Sequence, residues 1–190
     1  MKNLLVLIIV VSGHLLYGQS GFNVYAGLTQ ATNRDALITP EGTSHPGFHI
    51  GCDARLNSGG MYFIVGGQYH KLDFLAQEAN SFLTVEETMI WLKLRVGLGY
   101  TLFSINDKMS LRAKTLGSIN VISTYPTALD SAPYAGTNYN TGTAGLLAGL
   151  GLDLYFLTID VEYERGFFNA VNMIKGTEYD FLTLSVGFLF

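Results

Sequence analysis

The sequence predicts an all-β protein, an eight-stranded antiparallel up-and-down transmembrane β-barrel. Apolar residues recur at every second position along most of the chain beyond residue 20, the period of a strand with two unlike faces. Among the 190 residues there are 22 glycines against 4 prolines, and 13% are aromatic. Only 14% are charged, against about 25% in an ordinary soluble domain. The alternating segments are joined by short and long connections in turn, as in a barrel with turns at one end and loops at the other.

Residues 1–20, MKNLLVLIIVVSGHLLYGQS, carry Lys2 and then the uncharged apolar run Leu4 to Val11. That run is short for a spanning helix and suits the core of a signal peptide, with an uncleaved anchor as the alternative. Cleavage after Ser20 fits the small-residue rule with Gly18 and Ser20, cleavage after Gly18 nearly does with the less ideal Leu16 at −3, and both stay open. No cysteine lies near either point, which argues against a lipoprotein anchor, and residues 21–190 form the barrel domain. Within that domain no stretch approaches the ~18 consecutive apolar residues of a transmembrane helix, so membrane residence requires strands.

The first strand is expected over Phe22 to Gln30, where alternation is weak. In the second, Phe48, Ile50, Cys52, Ala54 and Leu56 face away from His49, Asp53 and Arg55. Tyr62 to Lys71 is the third. In the fourth, Met89 to Phe103, the even positions Ile90 to Leu102 are apolar, while Lys93, Arg95, Gly97, Gly99 and Thr101 take the other face. Ser110 to Tyr125 follows as the fifth. The sixth, Gly145 to Phe156, sets Leu146, Ala148, Leu150, Leu152, Leu154 and Phe156 against Gly149, Gly151 and Asp153. The seventh sets Ile159, Val161 and Tyr163 against Asp160, Glu162 and Glu164, and the eighth alternates Leu182, Leu184, Val186, Phe188 and Phe190 with smaller residues. Tight turns are expected at Asn57 to Gly60, Ser104 to Lys108 and around Leu157. Long loops are expected at Ala31 to Ser44, Asp73 to Val85, Pro126 to Thr141 and Phe168 to Thr177.

A soluble lipocalin-like barrel would turn its apolar face inward, so the charges decide between two readings. Asp53, Asp153, Asp160, Glu162 and Glu164 share the polar face with Arg55, Lys93, Arg95, Arg112 and Lys114. Five acids against five bases is the balance a closed lumen needs, because an unpaired buried charge is strongly destabilising. Most of them are expected in one layer near the tight-turn end. A turn at Leu157 would place Glu162 and Glu164 opposite Gly151 and Gly149, and the lumen is expected to be plugged by side chains. On the apolar face, Tyr100, Phe103, Phe156, Phe188 and Phe190 mark one interface, and Tyr125, Phe167 and Tyr179 the other.

The C-terminal FLTLSVGFLF, ending on Phe190 with Leu182, Leu184, Val186 and Phe188 before it, resembles the signal by which outer-membrane barrels engage the barrel-assembly machinery. Together with the export signal, the length and the hairpin GLGLDLYFLTIDVEYERG, it makes residues 21–190 resemble the PorT-like outer-membrane β-barrel family. That resemblance implies an integral protein of the bacterial outer membrane and carries over no functional residue.

The formal charge is −4, or −5 without residues 1–20 (10 basic against 15 acidic side chains), which argues against nucleic acid as a partner. Cys52 is the single cysteine and permits no intrachain disulfide or cysteine zinc cage. A lipid A-modifying hydrolase or acyltransferase would need a histidine with a serine and an acid near the outer rim. His45, His49 and His70 fall in that half with Ser44, Ser81, Glu86 and Glu87, but no spacing is diagnostic and solvated rim residues explain them. Pro46 and Gly47 separate His45 from His49, so no helical metal pair exists. No cofactor or metal is implied. The expected role is a non-enzymatic scaffold in the outer membrane, with lipid around it and a protein partner at its outer loops.

Overall fold

The computed structural model describes residues 21–33, 44–58, 60–77, 84–105, 109–124, 140–169 and 178–190. The signal-peptide expectation for residues 1–20 lies outside them, as do Tyr125 and Ser81. Eight strands run in chain order: β1 Gly21–Asn33, β2 Ser44–Ser58, β3 Met61–Gln77, β4 Thr84–Ile105, β5 Met109–Thr124, β6 Gly142–Leu154, β7 Leu157–Gly166 and β8 Tyr179–Leu189. Each pairs antiparallel with its sequence neighbours, and β1 pairs with β8 to close the barrel. At that seam Phe22 and Phe190 exchange backbone hydrogen bonds of 3.0 and 2.9 Å.

Alternation places the side chains. Along β5, Arg112, Lys114, Leu116, Ser118, Asn120 and Ile122 are buried, while Leu111, Thr115, Ile119 and Val121 are exposed. The exposed set faces away from the barrel and the buried set fills it, as the period of two requires. Register shifts between β4 and β5 leave Leu102 as an extra residue, so that Leu102 and Phe103 are both exposed.

Two expectations about the hairpin β6–β7 are corrected. The turn is Tyr155–Phe156, with Leu154 paired to Leu157, and Tyr155 adopts φ 58°. The register therefore sets Glu162 opposite Gly149, Asp160 opposite Gly151 and Glu164 opposite Leu147. A side chain at Gly151 would run into Asp160 and Arg112, so this glycine makes room for an ion pair. β3 and β4 also extend further than expected, leaving residues 78–83 between them.

Candidate functional site: a side-chain-filled lumen inside an apolar belt

Strands β2, β4, β5, β6 and β7 bring all ten charged residues of the polar face to the interior. Nearest the tight turns, Arg55 lies 3.2 Å from Asp153, and Arg112 lies 2.7 Å from Asp153 and 3.2 Å from Asp160. Lys114 joins this group to the next, at 2.9 Å from Asp160 and 2.5 Å from Glu162. Arg95 then bridges Glu162 at 2.7 Å and Asp53 at 2.6 Å, and Tyr25 donates to Asp53 at 3.3 Å. Toward the loop end Lys93 bonds Glu164 at 2.7 Å, which also accepts from Ser118 and Asn120. The charges thus climb the lumen in linked tiers. The single layer expected near the turns is corrected, because alternate residues on one strand rise by about 6.6 Å.

Glycines opposite large rings shape this interior. A Cβ on Gly51 would meet the Tyr25 ring, and one on Gly99 would overlap the Tyr62 ring. Gly97 lies between Ile64 and Leu116 in the ladders, both fully buried in a cluster with Tyr62 and Leu147. This apolar strip inside the barrel was not foreseen.

Above the charged tiers the filling changes character. Lys93 Nζ sits 3.3 Å from the centre of the Phe181 ring. Trp91 packs edge-on against Phe181 and Tyr179, with ring centres 5.2 and 5.4 Å apart. Ala31, Leu72, Met89 and Ile122 are buried on the same inner face near the loop end. Tyr179, expected on the lipid side, is 7% exposed and points inward. Its position on the first residue of β8 shares a face with Phe181, Thr183 and Ser185, all buried.

The histidines are likewise interior, not solvated rim residues. His45, His49 and His70 are at most 1% exposed. His49 and His70 stack with centres 5.0 Å apart and share the Thr29 hydroxyl, at 2.8 and 3.1 Å. His49 Nε2 lies 2.8 Å from Ser185 Oγ, and His70 Nε2 lies 3.0 Å from Gln68 Oε1. A serine beside a histidine makes a nucleophile and base pair, but the residue at Nδ1 is Thr29 where a triad has a carboxylate. Both partners are buried, His49 at 0% and Ser185 at 2% exposure, within the lumen filling. The side chains of Ser44, Glu86 and Glu87 lie outside the described set.

The outer surface is the converse. Leu28, Ile50, Leu92, Leu94, Leu150 and Leu184 are 48–69% exposed. They belong to an aliphatic belt that also holds the exposed thiol of Cys52. An open apolar depression of about 950 Å³ lies over Cys52 and Gly67, between Val24, Ile50, Leu92 and Leu94. Tyr100, Phe103, Phe156, Phe188 and Phe190 are exposed at the tight-turn end, with Phe156 stacked on Phe188. At the loop end Tyr163, Phe167 and Phe168 are exposed, and Tyr163 donates to Asp180 at 3.0 Å. Among the described side chains, charges on this outer face are confined to the loop end: Lys71, Asp73, Arg165 and Asp180. From Met61 to Lys71 the strand rises roughly 33 Å, or about 25 Å along the axis at a tilt near 40°. Leu182, Leu184, Val186, Phe188 and Phe190 all lie on this face.

No protein-family model and no curated protein sequence matches the chain. Solved structures do. Neisserial surface protein A superposes with a TM-score of 0.55 at 15% identity, covering 91% of this chain and 98% of that one. Ail, the attachment invasion locus protein of Yersinia pestis, gives 0.49 at 16%, covering 91% and 100%. The N-terminal β-barrel domain of Pseudomonas aeruginosa OprF gives 0.38 at 12%, covering 88% and 97%. The first of these supports the closed eight-stranded antiparallel barrel as a fold.

Proposed function

We propose that this chain is an integral β-barrel of the bacterial outer membrane that acts as a non-enzymatic scaffold and presents its loops to surface partners. One observation carries the reading: the barrel is inside-out, with paired charges sealed in the lumen and a charge-free apolar belt about 25 Å tall outside. A soluble carrier would expose the charges and bury the belt. In water such a belt far exceeds the few hundred Å² of contiguous apolar surface that soluble monomers tolerate.

In the same reading residues 1–20 are a signal peptide and the alternate residues Leu182 to Phe190 are the assembly signal. Membrane lipid and the barrel-assembly machinery are then its partners in biogenesis. The hairpin Gly149 to Gly166 and the C-terminal segment support a PorT-like affiliation. The test is heat-modifiable mobility of the protein in isolated outer membranes, with the mature N-terminus read by mass spectrometry. A product that is soluble without detergent overturns the reading. Lipid A that changes mass when the gene is deleted would instead favour the acyl-transfer or hydrolase alternative.

A further inference from the structure

Five side chains form one continuous run of hydrogen bonds across the inside of the barrel where β1 meets β8. Gly27 makes it possible. It is paired with His49 on one side and Ser185 on the other, and a Cβ there would meet the His49 ring and the β8 backbone. With no side chain in the way, His49 of β2 reaches over β1 to Ser185 of β8. Thr29, the next inward residue of β1, stands between His49 and His70 of β3, and Gln68 closes the far end on His70. The run ties β8, β2, β1 and β3 together over the seam, and all five side chains are buried.

Counting hydrogens fixes its state. Gln68 Oε1 can only accept, so His70 Nε2 carries the N–H and donates. In a neutral imidazole Nδ1 then accepts, and the hydrogen comes from the Thr29 hydroxyl. That hydroxyl has one hydrogen, so toward His49 it accepts from Nδ1–H. His49 Nε2 accepts from Ser185 in turn. Turning the Gln68 amide over would reverse all four bonds together. In either direction four hydrogens fill four links, and the two histidines hold opposite tautomers.

A fifth hydrogen has no link to fill. It would have to face another hydrogen or be displaced at Ser185, where the facing acid Asp160 is already held by Arg112 and Lys114. It also brings a charge to a buried place. Among the described residues, Lys93 and Arg95 of β4 and Glu162 of β7 act on the pair. Tyr25 of β1 lies edge-on to His49 and Phe181 of β8 edge-on to His70, while His45 and Asp53 follow on β2 to either side of His49. Two cations thus meet Glu162, which is already bonded to Arg95 and Lys114, and Asp53 is bonded to Arg95. Opening the run to water is the remaining way to hold the proton.

We infer that Ser185, His49, Thr29, His70 and Gln68 form an acid-sensitive clasp on the barrel seam, closed while both imidazoles are neutral and released when the pair takes up a proton. Its contribution to stability is present at high pH and lost as pH falls through the titration of the pair. The inference does not rest on the outer-membrane reading, since all five residues are interior.

The test uses the full chain in detergent micelles. With His14 and His45 both replaced by glutamine and the remaining histidines isotope-labelled, the pair gives the only imidazole signals. At high pH the ring-nitrogen shifts should show one Nδ1–H and one Nε2–H tautomer; two like tautomers overturn the clasp. In wild type, amide exchange over residues 26–29 and 183–186, corrected for the intrinsic effect of pH, should speed about tenfold or more between about pH 7.5 and about pH 4.5. An unchanged seam overturns the inference. Thr29→Val removes the hydroxyl that both rings share. Its seam should exchange fast already at high pH and lose most of the acid response, while exchange in β5 stays as in wild type. Both proteins carry the same carboxylates, so an acid response of equal size in Thr29→Val also overturns the clasp and assigns the effect to the ion pairs. The tautomers are read in a different variant and decide the matter even where Thr29→Val fails to fold.

Discussion

Arg95 holds two carboxylates at once, Asp53 and Glu162, in a place only 2% exposed. Replacing it by methionine keeps the volume but leaves two acids with one cation fewer. Arg95→Met should therefore destabilise the barrel by about 3 to 5 kcal/mol in urea unfolding from lipid vesicles. Adding Asp53→Asn should restore part of that loss, since the penalty lies in the unpaired charge and not in the missing bridge. No restoration would mean that Arg95 acts by packing alone. Trp91 offers a contrasting case: Trp91→Ala removes a ring held between Tyr179 and Phe181 and should cost about 3 to 5 kcal/mol through the cavity left behind. At this scale the sequence is legible where polar and apolar residues alternate, as at Lys93 and Leu94. It fails where both faces are apolar. Alternation sets Leu92 and Leu182 outward and so Trp91 and Phe181 inward, but a run apolar on both faces does not show that rings replace charges in the lumen there, and Tyr179 was placed outside by its ring type against the parity it shares with Phe181.

At the scale of the strand, one substitution tests which solvent a face meets. Leu94 and Leu150 are 69% and 56% exposed in the belt, and each changed to arginine should lose about 2 to 4 kcal/mol if the belt meets the bilayer midplane. The same changes to alanine should lose much less, and equal losses from arginine and alanine would argue against a lipid-facing belt. Gly97, although on the inner face, is no spare position. A Cβ there would meet the Leu116 backbone at 2.6 Å, so even Gly97→Ser should lower the folded yield, which detergent refolding would read out. The strands themselves were legible from period two, and their boundaries less so. The β6–β7 turn is built from Tyr155 and Phe156, which carry none of the usual turn residues, and a positive φ at Tyr155 cannot be read from its side chain. Placing that turn at Leu157 shifted the register by one pair of alternate residues. The shift left each acid on the correct face but opposite the wrong neighbour.

For the whole molecule, the lumen is filled from the Asp153 tier to the Trp91 ring cluster, and an eight-stranded barrel is only wide enough for side chains. Planar-bilayer recordings should therefore show no steady conductance, and a large stable current would replace the scaffold reading with a channel. If Leu182 to Phe190 is the assembly signal, Phe188→Ser with Phe190→Ser should leave exported protein that is protease-sensitive and no longer heat-modifiable. Normal assembly at full yield would count against that assignment. The architecture was legible because charge balance on one face has a physical meaning only inside a closed wall. The full lengths of β3 and β4 were not.

The seam between β1 and β8 has a kinetic meaning. It joins Phe22 to Phe190, which lie far apart in sequence, whereas β2–β3, β4–β5 and β6–β7 are joined by connections of a few residues. Loop-closure entropy favours those three hairpins first and the seam last, as in any fold rich in distant contacts. Until the seam closes, the ion pairs that cross between strands not adjacent in the wall, such as Lys93 with Glu164 and Arg55 with Asp153, cannot all form. An open sheet would then offer ten charges to hydrocarbon. Partly closed barrels are thereby penalised from within, so closure and insertion should proceed as one cooperative, slow event rather than hairpin by hairpin.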